Sequence, residues 1–237
     1  SQFTNTLVSQ SPDGEFYPGL AKEWEVEELG KVWIFHLREG VKFHDGTPWN
    51  AEAMVKNIDR IMAEETRSKY AVKLFEGIES YEATDSMTVK LTFEERKPTF
   101  LQKMADRLAA WLSPEAFSKP DSAPIDERIV GSGPWELVKE ERGQRIEFER
   151  NEDYNWAPSW YDHQGPAHIE KLVYRFVEED TTRLSGFLKG EFDVIAEVPT
   201  SQVDKVRDNE NFRIVGGGRP GFAQIHHLNI QKEPTDE

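Results

Sequence analysis

Apolar and polar residues between positions 31 and 62 are arranged in a pattern that predicts two short strands followed by a helix. Residues 32–37 are almost continuously apolar, which is typical of a strand covered on both faces. Asp45 and Gly46 form a turn signal that ends a second, shorter strand. Asn50 is a favourable N-cap for the helix that follows, because its side chain accepts a bond from a free backbone N–H. One face of this helix should be buried, since its apolar residues recur at helical spacing: Met54, Val55, Ile58, Ile61 and Met62.

The rest of the chain predicts further strands and helices in mixed order. Hairpins are expected over residues 78–93 and 136–150, where apolar and polar residues alternate around turn signals. Residues 169–195 have the pattern strand, helix, strand, with the helix capped by Asp180 or Thr181. This order predicts a βαβ unit with parallel pairing. Additional strands are expected at 6–9, 21–26, 213–216 and 223–229, and additional helices at 98–105 and 198–207.

Net charge limits the classes of partner. The 237 residues carry 44 acidic and 29 basic side chains, which gives a formal net charge of −15. Nucleic-acid binding needs a basic surface to meet phosphates, so we expect no nucleic-acid partner. The absence of cysteine excludes disulfides and Cys-ligated zinc. No apolar run reaches the length of about eighteen residues that a transmembrane helix needs.

Acidic clusters are the first candidates for catalysis, but their positions favour a solvated charge. Acidic residues at 94–95 and 178–180 lie at predicted strand or helix ends. The sequence contains no Gly-x-Ser-x-Gly, P-loop or His-Glu-x-x-His motif. We therefore predict no catalytic residue and a protein that is not an enzyme. The remote alternative is a carbohydrate-active enzyme with an acidic pair in an aromatic cleft, and an aromatic-rich loop lies at 154–161.

His226 and His227 are adjacent and are the candidate metal ligands. On a strand, neighbouring side chains point to opposite faces, so these two do not easily chelate one ion. Either imidazole could still face a ligand cleft, where it would suit nickel. The other histidines are expected to be structural or surface residues: His36, His44, His163 and His168.

A series of short motifs runs along nearly the whole chain. The motifs are Gly19-Leu20-Ala21 with Trp24, Trp33-x-Phe35-x-Leu37-Arg38, Lys42-Phe43-x-Asp45-Gly46-x-Pro48, Ala51-Glu52, Gly131-Ser132-Gly133-Pro134-Trp135, Arg150-Asn151 with Tyr154, Asp180-Thr181-Thr182-Arg183, Gly190-Glu191-Phe192-Asp193 and Leu228-Asn229-Ile230. Together they resemble the extracytoplasmic solute-binding proteins of ABC importers, in the family (family 5) that serves oligopeptides, dipeptides and nickel. Within that family the resemblance is strongest to the nickel-binding members.

This resemblance implies an α/β fold of the periplasmic-binding-protein type II class, with mixed sheets and flanking helices. Members of the family have two lobes that enclose the ligand, and this chain resembles the N-terminal lobe only, so the second lobe is expected to be absent. Residues 1–112 would form a small β-rich accessory domain, and residues 113–237 part of the ligand-binding domain. Since no signal peptide opens the sequence, we expect the start of a family member to have been removed.

The resemblance also points to ligand-contacting residues. Arg67-x-x-Tyr70 looks like the Arg-x-x-Trp element of the nickel-binding members, with Tyr70 in place of Trp. Arg107 falls near the position of their second ligand-contacting arginine. In those proteins nickel arrives inside a small chelate that carries carboxylates, and an arginine fork binds carboxylates well.

We therefore expect the substrate-binding component of an ABC importer, which captures a small ligand outside the membrane and delivers it to the permease by lobe closure. The first candidate ligand is nickel as a chelate, and the alternative is an oligopeptide or dipeptide. No cofactor is expected besides that transported chelate. The protein should be a monomer at the periplasmic or extracellular face of the cytoplasmic membrane, held there by the permease or a lipid anchor. An adhesion or scaffold module is the remaining alternative.

Overall fold

The structure, a computed structural model, describes residues 2–63 and 69–215. Its strands are β1 Val8–Gln10, β2 Phe16–Pro18, β3 Ala21–Glu27, β4 Val32–Leu37, β5 Ile78–Ala83, β6 Thr88–Phe93, β7 Trp135–Glu141, β8 Arg145–Arg150 and β9 Lys171–Arg175. Its α-helices are α1 Ala51–Met62, α2 Lys69–Val72, α3 Phe100–Ala105, α4 Pro114–Phe117, α5 Ile125–Arg128, α6 Asp180–Leu188 and α7 Val203–Arg207, with 3₁₀-helices at Lys73–Phe75 and Thr200–Gln202. This composition confirms the predicted mixed α/β class. None of the helices in these residues is long and apolar enough to cross a membrane.

The chain divides into two compact units, Ser1–Phe176 and Val177–Glu237. The predicted domain boundary at residue 112 falls inside the first unit. There the side chain of Asn57 forms hydrogen bonds with the backbone of Leu112. Its amide nitrogen donates to the Leu112 carbonyl at 2.8 Å, and its amide oxygen accepts from the Leu112 N–H at 3.1 Å. The predicted boundary concerned a longer, two-lobed protein, and it stays a prediction.

A four-stranded antiparallel sheet with the order β3-β4-β6-β5 forms the centre of the first unit. Strand β4 pairs on both sides, and Val32, Trp33, Phe35 and Leu37 are buried, as its apolar run predicted. Helix α1 lies against β5 and β6. Asn50 caps α1 by accepting from the Ala53 N–H at 2.8 Å, which confirms the predicted cap.

The buried face of α1 differs from the predicted one at a polar residue. Met54, Ile58 and Ile61 are buried as expected, whereas Val55 and Met62 are half-buried. Asn57 is fully buried, because its amide is satisfied by Ala53 and by the backbone of residue 112. A buried amide of this kind is stable only when its hydrogen bonds are made.

Aromatic rings join the sheet to the segments that follow it. The ring of Phe100 in α3 lies 4.8 Å from Phe93 and 6.2 Å from Phe75, measured between centroids. Trp111 lies 6.4 Å from Phe75 and 5.5 Å from Trp49. We call these rings, together with others in contact, the aromatic cluster: Trp33, Phe35, Phe43, Trp49, Phe75, Phe93, Phe100 and Trp111. Each such pair contributes about 0.5–1.5 kcal/mol beyond the burial of its area.

The second hairpin belongs to a three-stranded antiparallel sheet with the order β7-β8-β9. Strands β7 and β8 confirm the hairpin predicted over residues 136–150. Strand β9 lies at the edge of this sheet, and Val173, Tyr174 and the adjacent Phe176 are exposed.

The βαβ unit predicted over residues 169–195 is wrong for the residues described. Residues 190–195 are irregular, and every strand pairing in the described part of the chain is antiparallel. The physical reason is that Gly190, with a φ of +80°, turns the chain back towards α6. The ring of Phe192 then lies over Gly186, where a Cβ would be 2.5 Å from it. This contact holds the segment against the helix and prevents an extended strand.

The other predictions for the second unit concern the cap of α6 and the strands expected at 213–216 and 223–229. Helix α6 is capped by Glu179, which accepts from the backbone N–H groups of Thr181 and Thr182, so the predicted caps at Asp180 or Thr181 are wrong. Leu184 and Phe187 of α6 pack with Val206 of α7 in a small core. Residues 213–215 are irregular where a strand was predicted, and the strand predicted at 223–229 lies outside the described residues.

A tight turn at residues 131–135 is pressed against the N-terminal segment, residues 2–5. Gly133 N–H donates to the Phe3 carbonyl at 3.0 Å, and Trp135 N–H donates to the Gln2 carbonyl at 3.1 Å. A Cβ on Gly131 would lie 1.8 Å from the Phe3 oxygen, so only glycine fits there. We call this contact the glycine-turn junction.

Polar side chains from other segments complete the glycine-turn junction. Trp156 Nε1 donates to the Ser132 carbonyl at 3.0 Å, and Asn151 Nδ2 donates to the Gly133 carbonyl at 3.1 Å. The Ser132 hydroxyl donates to Asn5 Oδ1 at 3.2 Å. Ser132 is fully buried, so the serine between two glycines is a structural residue and no nucleophile.

Replacing Gly131 by alanine tests this junction. Because the added methyl would overlap a backbone carbonyl rather than a flexible side chain, the backbone must move. We expect G131A to lower the free energy of unfolding by about 3 kcal/mol or more, as measured by urea denaturation. Gly165→Ala is the matched control, since its nearest contact would be an ordinary 3.8 Å and its φ is not in the left-handed region. Equal urea midpoints for the two variants would contradict the assignment.

Candidate functional site

Two of the three predicted ligand-contacting residues lie in the described part of the chain. Tyr70 lies in α2, with 68% of its surface exposed. Arg107 lies in the irregular segment after α3 and is also exposed. Arg67 lies outside the described residues.

The segments that carry Tyr70 and Arg107 are neighbours because they are anchored together. Helix α2 continues directly into the 3₁₀-helix at Lys73–Phe75, and the ammonium of Lys103 in α3 donates to the Lys73 carbonyl at 2.9 Å. Phe75 follows Tyr70 by five residues and belongs to the aromatic cluster, as does Trp111, four residues after Arg107. The two exposed side chains therefore project from segments that pack against each other.

The guanidinium of Arg107 forms no ion pair with any residue of 2–63 or 69–215. The adjacent carboxylate, Asp106, instead accepts from the Leu108 N–H at 2.8 Å. Arg107 therefore presents an exposed fork to solvent, the geometry that binds a carboxylate through paired hydrogen bonds.

The acidic residues at 178–180 are engaged in local structure. Hydrogen bonds from the side chains of Thr181 and Thr182 and from their backbone N–H groups lower the pKa of Glu179 to about 2. Asp180 forms an ion pair with Arg183. A general acid needs a raised pKa, so the cap Glu179 is unsuited to that role. Glu94 and Glu95 are exposed beyond the end of β6.

One carboxyl group does have a raised pKa. Burial, followed by the charges of Asp153 and Glu149, raises the pKa of Glu136. Glu136 lines a pocket of about 240 Å³ that also contains His44, Asp45, Lys119, Asp126 and Glu127. Lys119 pairs with Glu127 at 2.9 Å, and Asp45 accepts from the Ser113 hydroxyl and the Thr47 N–H. Several of the charged groups of this pocket are therefore already bound to protein partners.

The aromatic-rich loop is packed rather than open. Tyr154 and Trp156 are buried in the core of the first unit, and their rings meet at 5.0 Å. Trp160 is half-buried, with its indole N–H donating to Ser9 Oγ at 2.9 Å. In this loop Tyr161 keeps 47% exposure. The loop therefore does not supply the broad aromatic cleft that a carbohydrate-active enzyme would need.

The histidines of the described residues form no metal centre with three protein ligands. Among the residues that the structure describes, no three His, Asp or Glu side chains converge on a possible metal position. His36 contacts Glu25 at 2.9 Å and Thr88 at 3.2 Å. His163 and His168 are brought into ring contact, with their centroids 4.2 Å apart. His226 and His227 lie outside the described residues.

His44 is a member of the glycine-turn junction. Its backbone N–H donates to the Gly131 carbonyl at 2.9 Å, and its Nε2 lies 3.0 Å from the Gly133 carbonyl. Since a carbonyl only accepts, Nε2 carries the proton and donates. Burial lowers the pKa of His44, against the opposing effects of the Gly133 carbonyl and Asp45. The ring is therefore held in its neutral form by the fold.

Tyr70 and Arg107 are thus two exposed side chains on adjoining packed segments of the first unit. The fold is shared with the PBP/SBP MoaA from A. tumefacien R10, solved in complex with mannopinic acid. The TM-score is 0.82 at 24% sequence identity, over 99% of this chain and 47% of the other.

Residues 15–237 match the family model for bacterial extracellular solute-binding proteins, family 5 Middle. The chain belongs to this family, as its motifs predicted. The nickel-binding periplasmic protein of Escherichia coli (strain K12) is 31% identical over 237 residues, which cover 98% of this chain and 43% of the relative. The glutathione-binding protein GsiB of Escherichia coli O1:K1 / APEC is 28% identical over 246 residues, covering 98% of this chain and 46% of the relative. The chain thus spans less than half the length of these relatives.

Replacing His44 by glutamine tests the neutral state of the ring, since an amide keeps a donor near the Gly133 carbonyl without titrating. The unfolded histidine takes up a proton near pH 6.5, whereas the folded one does so only at lower pH. The unfolded state therefore binds more protons as pH falls below about 6.5, and the stability contributed by neutral His44 is lost there. We expect wild type to lose stability relative to H44Q on acidification, as measured by urea unfolding at a series of pH values.

Glu136 titrates in the same pocket, but it is present in both proteins, so its effect cancels in this comparison. Leu29→Gln, at an exposed residue that carries no titrating group, is the control and should keep the pH dependence of wild type. Parallel pH profiles for wild type and H44Q would contradict the neutral assignment.

Proposed function

We propose that this chain is the N-terminal-lobe portion of the substrate-binding component of an ABC importer, and that it captures nickel as a small carboxylate-bearing chelate. The observation that carries the proposal is the 31% identity, over 98% of the chain, to a nickel-binding periplasmic protein. Capture takes place at the periplasmic or extracellular face of the membrane, and a permease is the partner.

The exposed pair Tyr70 and Arg107 supports the chelate as ligand. In this proposal Arg107 contributes the fork that binds a carboxylate, and Tyr70 contributes an aromatic face. Arg67, three residues before Tyr70, supplies a second fork in this proposal, and His226 or His227 would supply an imidazole to the metal. Since the segments that carry both described residues lead into the aromatic cluster at Phe75 and Trp111, little of the backbone has to be ordered on binding.

A peptide is the second candidate ligand. The 28% identity to a glutathione-binding protein favours it, because glutathione is a peptide with free carboxylates. An arginine fork would bind those carboxylates in the same way, so Arg107 serves either ligand. The two proposals differ in whether the ligand contains a metal ion.

Calorimetric titration of the protein in its longest natural form distinguishes the ligands. The syringe contains nickel with L-histidine, nickel alone, glutathione, or a mixed dipeptide and tripeptide pool. We expect the nickel–histidine chelate to bind more tightly than any of the peptides. Peptide binding without a response to the chelate would overturn the nickel proposal and support the peptide one.

Arginine 107 is tested in the same titration by Arg107→Lys, which keeps the charge and removes the fork. Loss of a charge-assisted hydrogen bond costs about 1.5–3 kcal/mol, so we expect affinity for the chelate to fall about 10- to 100-fold. Arg96→Lys, at another exposed arginine of the same unit, is the matched control and should bind as wild type does. Equal affinities for R107K and R96K would remove Arg107 from the site.

A further inference from the structure

His163 and His168 face each other on the surface of the first unit. Their ring centroids are 4.2 Å apart, with 37° between the ring planes. Both residues are exposed. Metal–nitrogen bonds of about 2.0–2.1 Å place two nitrogens that bind one ion about 3–4 Å apart. Rings with centroids this close, on exposed side chains, need only rotation about their side-chain bonds to bring one nitrogen of each to such a separation.

The loop that carries these rings is fixed at several points. Gln164 Nε2 donates to the carbonyls of Pro158 at 3.1 Å and Tyr161 at 2.9 Å. Arg150 Nη1 donates to the Ala167 carbonyl at 3.2 Å, directly before His168. These bonds hold the loop on both sides of the pair, so the backbone that carries the two rings is fixed before any ion arrives.

The hydrogen bond of His163 selects the nitrogen that is free. Its Nε2 lies 2.6 Å from the Pro166 carbonyl and must donate to it, because a carbonyl only accepts. In the neutral ring this leaves the lone pair of Nδ1 available. Metal-binding histidines ordinarily donate their second ring N–H to a carbonyl or carboxylate in this way, which fixes the tautomer and makes the ligand more basic. The ring of His168 forms no hydrogen bond with any residue in the described ranges.

We propose that His163 and His168 form a two-imidazole site for a divalent transition-metal ion, with water filling the remaining coordination positions. Imidazole suits nickel, copper and zinc rather than calcium or magnesium, which prefer oxygen ligands. The net charge of −15 favours the approach of a cation. With two protein ligands this is a surface site that binds reversibly, and it is separate from the Tyr70 and Arg107 pair.

Nickel chloride without a chelator is the probe, added above the ordinary histidine pKa while imidazole resonances are followed by NMR. Paramagnetic nickel broadens the signals of nuclei close to it, so each histidine reports its own occupancy. Single His→Gln variants assign the resonances. We expect His163 and His168 to broaden together, at lower nickel concentrations than His36, whose two nitrogens already contact Glu25 and Thr88.

His168→Gln separates a shared ion from two independent rings. This substitution removes one ligand and breaks none of the hydrogen bonds that anchor the loop. We expect the nickel concentration that broadens His163 to rise about tenfold or more in H168Q. Broadening of His163 at unchanged concentrations would overturn the shared site. So would broadening of the pair only at the concentrations that affect His36, since the rings would then be merely stacked.

The site can be told apart from the proposed nickel-chelate site. R107K leaves the broadening of His163 and His168 unchanged, and H168Q leaves calorimetric binding of the nickel–histidine chelate unchanged. Failure of either site therefore does not affect the test of the other.

Discussion

The close approach of the Gly131–Trp135 turn to residues 2–5 is the contact on which the first unit depends. At Gly131 the two backbones are so near that no side chain fits, and hydrogen bonds from Gly133 and Trp135 lock them in register. Carbonyl groups of the turn then accept from His44, Asn151 and Trp156, which come from three other segments of the chain. A single backbone contact thus orders the start of the chain, the loop before α1, the β7-β8 hairpin and the aromatic-rich loop.

The aromatic cluster extends this order to the candidate site. Trp49 follows the His44 loop and is in ring contact with Trp111, which in turn contacts Phe75. Trp49 also donates its indole N–H to the Leu20 carbonyl at 3.0 Å. Displacement of any one of these rings would leave an unfilled volume in a closely packed interior, which is unfavourable. The positions of Tyr70 and Arg107 are therefore determined by packing several residues away from each of them.

Sequence reasoning succeeded where the determining signals are local. The strand over residues 32–37, the cap at Asn50 and the hairpins each depend on neighbouring residues, and each is confirmed. It failed where a distant or non-periodic contact decides. Asn57 is buried because its partner is residue 112, and residues 190–195 are not a strand because Phe192 returns to Gly186. Neither contact is visible in a pattern of apolar positions.

At the candidate site, too, the sequence supplied the residues and the structure supplied their surroundings. Family motifs suggested Tyr70 and Arg107, but only the structure shows that both are exposed and anchored on one base.

The excess of acidic side chains makes it notable that Arg107 forms no ion pair with a described residue. Acidic residues outnumber basic ones in this chain, so a surface arginine readily finds a carboxylate. Several do: Arg128, Arg145, Arg150, Arg183 and Arg207 each form an ion pair. Arg107 forms none with a described residue, because the carboxylate beside it is turned to the backbone N–H of Leu108. A carboxylate ligand would therefore meet a guanidinium without first breaking an internal pair with the described part of the chain.

The overall negative charge of the chain repels a ligand that carries carboxylates. Salt screens this repulsion over about 10 Å at ordinary ionic strength. The attraction of the nearby Arg107 for a carboxylate therefore exceeds the repulsion from distant acidic side chains. A ligand that combines a metal cation with carboxylates interacts favourably with both kinds of charge. The acidic surface attracts its cation, and the Arg107 guanidinium attracts its carboxylates. A peptide also combines both charges, because its protonated amino terminus is a cation and its carboxylates can meet the fork. Electrostatics therefore fits either proposed ligand, and the coordination chemistry of the metal is what distinguishes them.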